Sequence, residues 1–223
     1  QTDNNLGYSI VGAENVDPNG PKDMKESFNY NNTRMPEDLW PPNINGFRAT
    51  ALQSIDIADR LTLKILEKFD LILDSGTRLV DAHLIPYNTT RVIHYPAMKP
   101  TVDNQLRIGE HSDYGTITLL WDINGVPGLE VQDINGDWHS VPYVWNGVVV
   151  NIGDLLQRWT NDYFKSTKHR VNNNYCHVPR FSMPHFVDPT PGTIVENLLK
   201  EPNHYDPIES KEYLMWRLSQ SYG

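Results

Sequence analysis

The feature that most constrains this fold is a train of short segments rich in β-branched and aromatic residues, beginning near residue 90. They lie at 90–95 (TRVIHY), 116–121 (TITLLW), 129–132 (LEVQ), 138–141 (WHSV), 147–151 (GVVVN), 167–172 (TKHRVN) and 180–186 (RFSMPHF). Turn signals such as Asn124-Gly125, Pro127-Gly128, Asn135-Gly136 and Asn146-Gly147 separate them. Many short strands spaced by tight turns close into a sandwich or barrel.

The flanks read differently. Residues 1–47 are polar and broken by Pro18, Pro21, Pro36, Pro41 and Pro42, which predicts a lobe of mostly irregular structure. From Arg48 to Asp70 apolar residues recur at Ala51, Ile55, Ala58, Leu61, Ile65 and Phe69, the spacing of a helix with one buried stripe. A second short helix is expected over Leu71–Val80, a turn or two over Asp154–Thr160, and a terminal helix over Ser210–Tyr222 capped by Ser210. The expected division is an N-terminal lobe with supporting helices over 1–86 and a β core with a C-terminal helix over 87–223.

Composition narrows the partners. A net charge of -9 repels phosphate backbones and anionic membranes, so neither nucleic acid nor a lipid surface is expected to bind. No apolar run approaches the roughly 20 residues of a membrane span. Cys176 is the sole cysteine, which rules out an internal disulfide and points to a reducing compartment, the cytoplasm. Nothing in the composition fixes the oligomeric state.

His111-Ser112-Asp113 sets two ligand-type side chains two residues apart, which on an extended backbone share a face. His169, far along the chain, supplies a third. Two imidazoles and a carboxylate on one face of an octahedron leave positions open for a co-substrate and dioxygen, as in non-haem Fe(II) oxygenases. A His-x-Asp triplet alone is a weak signal, and the other histidines (83, 94, 139, 177, 185, 204) offer competing third ligands.

Arg180-Phe181-Ser182 repeats the two-residue spacing, with Phe181 turned away. A guanidinium fork beside a hydroxyl suits a carboxylate, and an unpaired arginine inside a barrel would call for an anionic ligand. A surface arginine with a solvated serine explains the triplet equally well. Tyr95, at the end of TRVIHY, reads on its own as a packed core aromatic.

These segments do not stand alone. Arg91-Val-Ile-His-Tyr95-Pro96, His111-Ser-Asp-Tyr-Gly115, Gly128-Leu-Glu-Val-Gln132, Asn151-Ile-Gly-Asp154, Leu156-Gln-Arg-Trp159-Thr-Asn161, Ser166-Thr-Lys-His-Arg-Val171 and Arg180-Phe-Ser182 follow one another in order. In order and spacing they resemble the isopenicillin N synthase-like group of Fe(II)/2-oxoglutarate dioxygenases, as does the tail Tyr205-Asp-Pro-Ile208 with Glu212-Tyr-Leu214. The likeness spans roughly residues 87 to 222, with a weaker echo in Gly12-Ala-Glu14 and Lys25-Glu-Ser-Phe28. Members of that group usually begin with a further N-terminal segment of strands and helix, whose counterpart is expected to be missing here.

The resemblance implies a mainly β fold: a double-stranded β-helix, or jelly-roll, core with flanking α-helices. It implies Fe(II) on His111, Asp113 and His169, with 2-oxoglutarate chelating the metal and its far carboxylate held by Arg180, Ser182 and Tyr95. Asn151 is expected beside the co-substrate or behind a metal ligand, and Trp159 as packing. Leu119, Val148 and Val150 are expected to wall the site. Tyr114, Phe186 and Arg91 are the candidates for substrate contact. The implied reaction uses dioxygen to hydroxylate, desaturate or cyclise a small organic molecule in specialised metabolism, with ascorbate as a candidate reductant. Three alternatives stay open: an iron oxidase of the same fold that needs no 2-oxoglutarate, a catalytically silent jelly-roll binding protein, and a hydrolytic zinc site. The last fits poorly with an Arg-x-Ser anion grip and no HExxH-type helix.

Overall fold

The computed structural model describes residues 5–17, 20–199 and 202–222. In chain order the elements are β1 (Gly7–Ser9), β2 (Glu26–Tyr30), α1 (Phe47–Leu73), α2 (Arg78–Asp81), β3 (Thr89–Tyr95) and β4 (Ile108–His111). Then come β5 (Ile117–Asp122), β6 (Leu129–Gln132), β7 (Trp138–Ser140), β8 (Val149–Ile152), α3 (Asp154–Trp159) and β9 (His169–Val171). β10 (Arg180–Val187), β11 (Ile194–Val195), β12 (Ile208–Glu209) and α4 (Ser210–Tyr222) complete the chain. Among the described residues the protein is mainly β with four α-helices.

Strands β1-β2-β3-β10-β5-β8 form one sheet, β4-β9-β6-β7 a second, and β11-β12 a two-stranded pair. Side-chain alternation gives the six-stranded sheet two different faces. Ile117, Leu119 and Val187 point to one side, into a core with Leu66 and Leu73 of α1, Leu79 of α2 and Trp159 of α3. Each fully buried aliphatic side chain there contributes roughly 1.5–3 kcal/mol. Ile93, Tyr95, Thr118, Leu120, Val149, Ser182 and Pro184 point to the other side, where they face Ile108, Leu129, Val131 and Val171 of the four-stranded sheet across a cavity.

That parity corrects the expected wall residues. Leu119 and Val148 pack toward α1, and Val150 is partly solvent-exposed. The cavity takes their neighbours instead, because the register pairs Thr118 with Asn151 and Leu120 with Val149. A one-residue error in assigning a strand face moves every side chain to the wrong side.

The flanks also differ from expectation. The N-terminal lobe carries β1 and β2, and β2 joins the main sheet through Phe28 opposite Val92. Their pattern was hard to see because the buried residues there include Ser9, Ser27 and Asn29. The buried stripe of α1 runs through Ala51, Ile55, Ala58, Thr62, Leu66, Asp70 and Leu73, one position on from the expected Leu61, Ile65 and Phe69, which are partly buried. Asp70 faces inward because its carboxylate accepts the N–H groups of Leu79 and Val80, capping the short α2. α1 ends at Asp74 in the left-handed region, so the expected second helix is reduced to Arg78–Asp81. Ser210 does not cap α4: Glu209 accepts the N–H groups of Lys211 and Glu212.

Candidate metal centre

β4 ends in His111, and β9 begins with His169 directly opposite in the register. Antiparallel pairing thus sets the two imidazoles side by side, ring centroids 4.2 Å apart. Asp113 lies two residues past the end of β4, its Oδ1 3.7 Å from His169 Nε2. One ligand atom from each of the three residues lies within 4.8 Å of the others, a group that could hold a metal ion.

The surroundings prepare these groups as ligands. His111 Nδ1 is 2.9 Å from the Gly109 carbonyl and His169 Nδ1 is 3.0 Å from the Thr167 carbonyl. A carbonyl can only accept, so each Nδ1 carries the proton and each Nε2 presents a lone pair. Burial, with the neighbouring His169, lowers His111 to about 3 and keeps it neutral. Burial opposes ionisation of Asp113, yet the two imidazoles and hydrogen bonds from Thr118 and Asn151 hold its carboxyl below the usual range. Neutral imidazoles and an ionised carboxylate are the forms that bind a cation. The donor set fits Fe(II).

An inner chamber between the two sheets is lined by all three of these residues and by Tyr95, Asn151, Arg180 and Ser182. Arg180 and Tyr95 are register partners, and the Tyr95 hydroxyl is 3.4 Å from Ser182 Oγ. Burial raises Tyr95 above the usual phenol range, so it remains a donor. Arg180 is buried but not unpaired: Nη2 donates to Asp122 at 2.9 Å and Nε to the Val126 carbonyl at 3.1 Å. The cause is the β10–β5 register, which brings Asp122 opposite Ser182. Nη1 has no hydrogen-bond partner among the described residues. Asn151, on the wall of the inner chamber, gives its amide to Asp113 Oδ2 at 2.6 Å. Phe181, on the opposite face, stacks on His94 with centroids 4.6 Å apart.

An outer chamber shares His111, Asp113, Arg91 and Phe186 with the inner one and is lined besides by Tyr114 and Asp188 and by Leu214 and Leu218 of α4. Arg91 is occupied by structure: Nε donates to Asn29 and Nη1 pairs with Glu14 at 2.9 Å. Tyr114 lies under the Arg217 guanidinium at 4.4 Å, and Arg217 also donates to Ser112 at 3.0 Å, which fastens α4 to the His-Ser-Asp turn.

Four residues here were not anticipated: Thr118, Asp188, Arg217 and Arg107. Arg107 is buried, with its guanidinium 6.0 Å from the Tyr95 ring. Asp188 had a legible signal, since it continues the alternation Arg180, Ser182, Pro184, Phe186 along one strand face.

Comparison with known proteins agrees with this geometry. The model of the 2OG-Fe(II) oxygenase superfamily matches residues 87–189. The chain is 31% identical to the 2-oxoglutarate-Fe(II) type oxidoreductase hxnY of Emericella nidulans, over 98% of this chain and 69% of that protein. It is 29% identical to the proline hydroxylase buaE of Petromyces alliaceus, over 97% of this chain and 75% of that one. Among solved structures, a full-length Neurospora crassa protein crystallised in complex with alpha-KG superposes with a TM-score of 0.85 at 32% identity, covering 96% of this chain and 75% of that one. The same Neurospora protein has been solved with alpha-KG and thymine. No helix among the described residues is long and apolar enough to cross a membrane. The chain therefore belongs to the 2OG-Fe(II) oxygenase superfamily and is an oxidoreductase of the 2-oxoglutarate-dependent dioxygenase type, with Fe(II) and 2-oxoglutarate as its cofactors.

Proposed function

We propose that His111, Asp113 and His169 are the iron ligands of this enzyme and that the two chambers divide its substrates. 2-Oxoglutarate occupies the inner chamber, its far carboxylate on Arg180 Nη1, Ser182 and the Tyr95 hydroxyl. The molecule to be oxidised occupies the outer chamber under α4, against Phe186 and Tyr114, with Arg91 at its margin. The six- and four-stranded sheets then correspond to the two halves of a double-stranded β-helix, and β1, β2 and α1 to a supporting lobe.

One observation carries this reading. His111 and Asp113 line both chambers, whereas His169, Arg180, Ser182 and Tyr95 line only the inner one. An anion held there would reach the metal position through the inner chamber, and the outer chamber meets that position at His111 and Asp113. Iron bound with 2-oxoglutarate and dioxygen supplies an oxidant for C–H bonds, releasing succinate and carbon dioxide. The protein's part is placement. The Gly109 and Thr167 carbonyls fix the imidazole tautomers, and Asn151 and Thr118 fix the carboxylate. Leu120, Leu129 and Val171 keep water from the inner chamber.

Proline and thymine, named with the relatives above, are both compact and polar with nitrogen donors, and a substrate of that size and polarity suits the outer chamber. Hydroxylation of a small polar metabolite accords with the name of buaE, a proline hydroxylase. The test is succinate release by the iron-loaded protein with 2-oxoglutarate over a panel of small polar compounds. Substrate oxidation in step with succinate, lost on iron chelation, is expected. Oxidation without consumption of 2-oxoglutarate would make the enzyme an oxidase instead.

A further inference from the structure

Arg180, Ser182, Pro184 and Phe186 share the cavity face of β10, and Asp188 extends that face just beyond the strand. At about 3.3 Å per residue, the strand holds Asp188 on the order of 20 Å from Ser182. It therefore lies at the end of the cavity remote from the proposed co-substrate grip.

Asp188 is 7% exposed and lines the outer chamber. Its backbone N–H is taken by Asn88 Oδ1 at 3.0 Å, but no hydrogen bond reaches its carboxylate among the described residues. Gly115 lets that carboxylate come close: a Cβ there would lie 2.6 Å from Asp188 Oδ1. Buried carboxylates are ordinarily paired, because an unsatisfied one is costly. Arg34 lines the same chamber without closing an ion pair to it. Arg34 Nη2 is spent on Tyr87 O and Thr89 Oγ1, at 3.1 and 2.9 Å, while its buried Nε has no partner. One chamber thus holds an unmet acceptor and an incompletely used donor, flanked by the Phe186 ring.

We propose that Asp188 is the substrate-recognition residue of the outer chamber: it accepts an N–H from a substrate whose adjacent oxygen faces Arg34. The inference rests on the two-chamber reading and names the chemistry that reading leaves open. An N–H beside an oxygen acceptor occurs both in a lactam or imide and in an α-amino acid zwitterion. A hydrocarbon or a simple carboxylic acid lacks the donor and would leave Asp188 unpaired in a closed site.

The test is calorimetric titration of protein loaded anaerobically with Fe(II) and 2-oxoglutarate, using four probes. Thymine and L-proline carry the donor in its two forms; 1,3-dimethylthymine and N,N-dimethylproline lack it. Wild type is expected to bind at least one donor probe and to bind its methylated counterpart about tenfold more weakly or worse. Asp188→Leu should lose about tenfold or more for the donor probe, and Asp188→Asn less, with 2-oxoglutarate affinity unchanged in both. Whichever donor probe binds identifies the form. Equal binding of methylated and donor probes, unchanged binding by Asp188→Leu, or no binding of either donor probe would overturn the proposal. If wild type binds neither iron nor 2-oxoglutarate, the two-chamber reading itself has failed, and that result is separately visible. Should Asp188→Leu fail to fold, the near-isosteric Asp188→Asn and the methylated probes still decide.

Discussion

Asn151 Nδ2 lies 2.6 Å from Asp113 Oδ2, a contact from the strand beside β5 to the one carboxylate among the candidate metal ligands. It leaves Asp113 Oδ1 on the side of His169. Removing such an outer hydrogen bond typically weakens metal affinity about 10–100-fold. Asn151→Ala should bind Fe(II) that much more weakly under anaerobic titration, with 2-oxoglutarate affinity following from the lost metal. An unchanged iron affinity would place Asn151 elsewhere in the mechanism.

Arg180→Lys tests the co-substrate grip. Lysine keeps the charge but loses the fork, and with it the ability to hold Asp122 and a second carboxylate together. The KM for 2-oxoglutarate should rise about tenfold or more, at the lower end of what loss of a charged hydrogen bond costs. The denaturant midpoint should move little. A changed stability with an unchanged KM would make Arg180 a structural partner of Asp122 only.

Gly115→Ala tests the close packing behind the site. An added Cβ would lie 2.4 Å from the Val187 carbonyl and 2.6 Å from Asp188 Oδ1. Neither strand can yield freely, since Thr116 N–H bonds to Val187 O and Leu155 N–H to Gly115 O. The substitution should cost at least about 2 kcal/mol, read as a lower urea midpoint at constant slope. Wild-type stability would show that the backbone gives way there.

His83 predicts a component of the acid sensitivity. Burial lowers it to about 4, against the weaker raising effects of the Leu79 carbonyl and Asp70. Its Nε2 pairs with Thr116 Oγ1 at 2.8 Å, so the neutral ring joins α2 to the sheet behind the metal motif. The unfolded chain takes up this proton near its ordinary value of 6.5 while the folded protein resists until about 4. The contribution is therefore complete above pH 6.5 and is lost as pH falls toward 4, by about 3 kcal/mol in all. His83→Gln keeps the hydrogen bonds without the titration. Its stability should fall less than wild type between pH 6.5 and 4.5, and parallel curves would exclude His83 as a source.

How much of this was legible in sequence depended on how locally each feature is encoded. His111, Asp113 and His169 stand out because a two-residue spacing and a family-like order are visible in the chain; the β4–β9 register sets the two histidines side by side, and the segment after β4 brings Asp113 to them. Arg180 with Ser182 was readable for the same reason. Its partner Asp122 was not, because only strand register places Asp122 there. The expected faces of Leu119, Val148 and Val150 are reversed in the structure, since an unbroken run of apolar residues has no alternation to fix parity. β1 and β2 carry no apolar alternation because their inward residues include Ser9, Ser27 and Asn29, and Asn29 is satisfied by Asn5 and Arg91, far away in sequence. Asp188 needed only the alternation carried one step past the strand end.

The central claim is that one iron site built from His111, Asp113 and His169 drives 2-oxoglutarate turnover. The most direct measurement is the iron content and succinate release of Asp113→Ala beside wild type, after reconstitution with Fe(II) and assay with 2-oxoglutarate. Wild type should hold stoichiometric iron and release succinate, and Asp113→Ala should lose both while keeping its fold. An Asp113→Ala protein that retains iron and turns over 2-oxoglutarate at the wild-type rate would contradict the account.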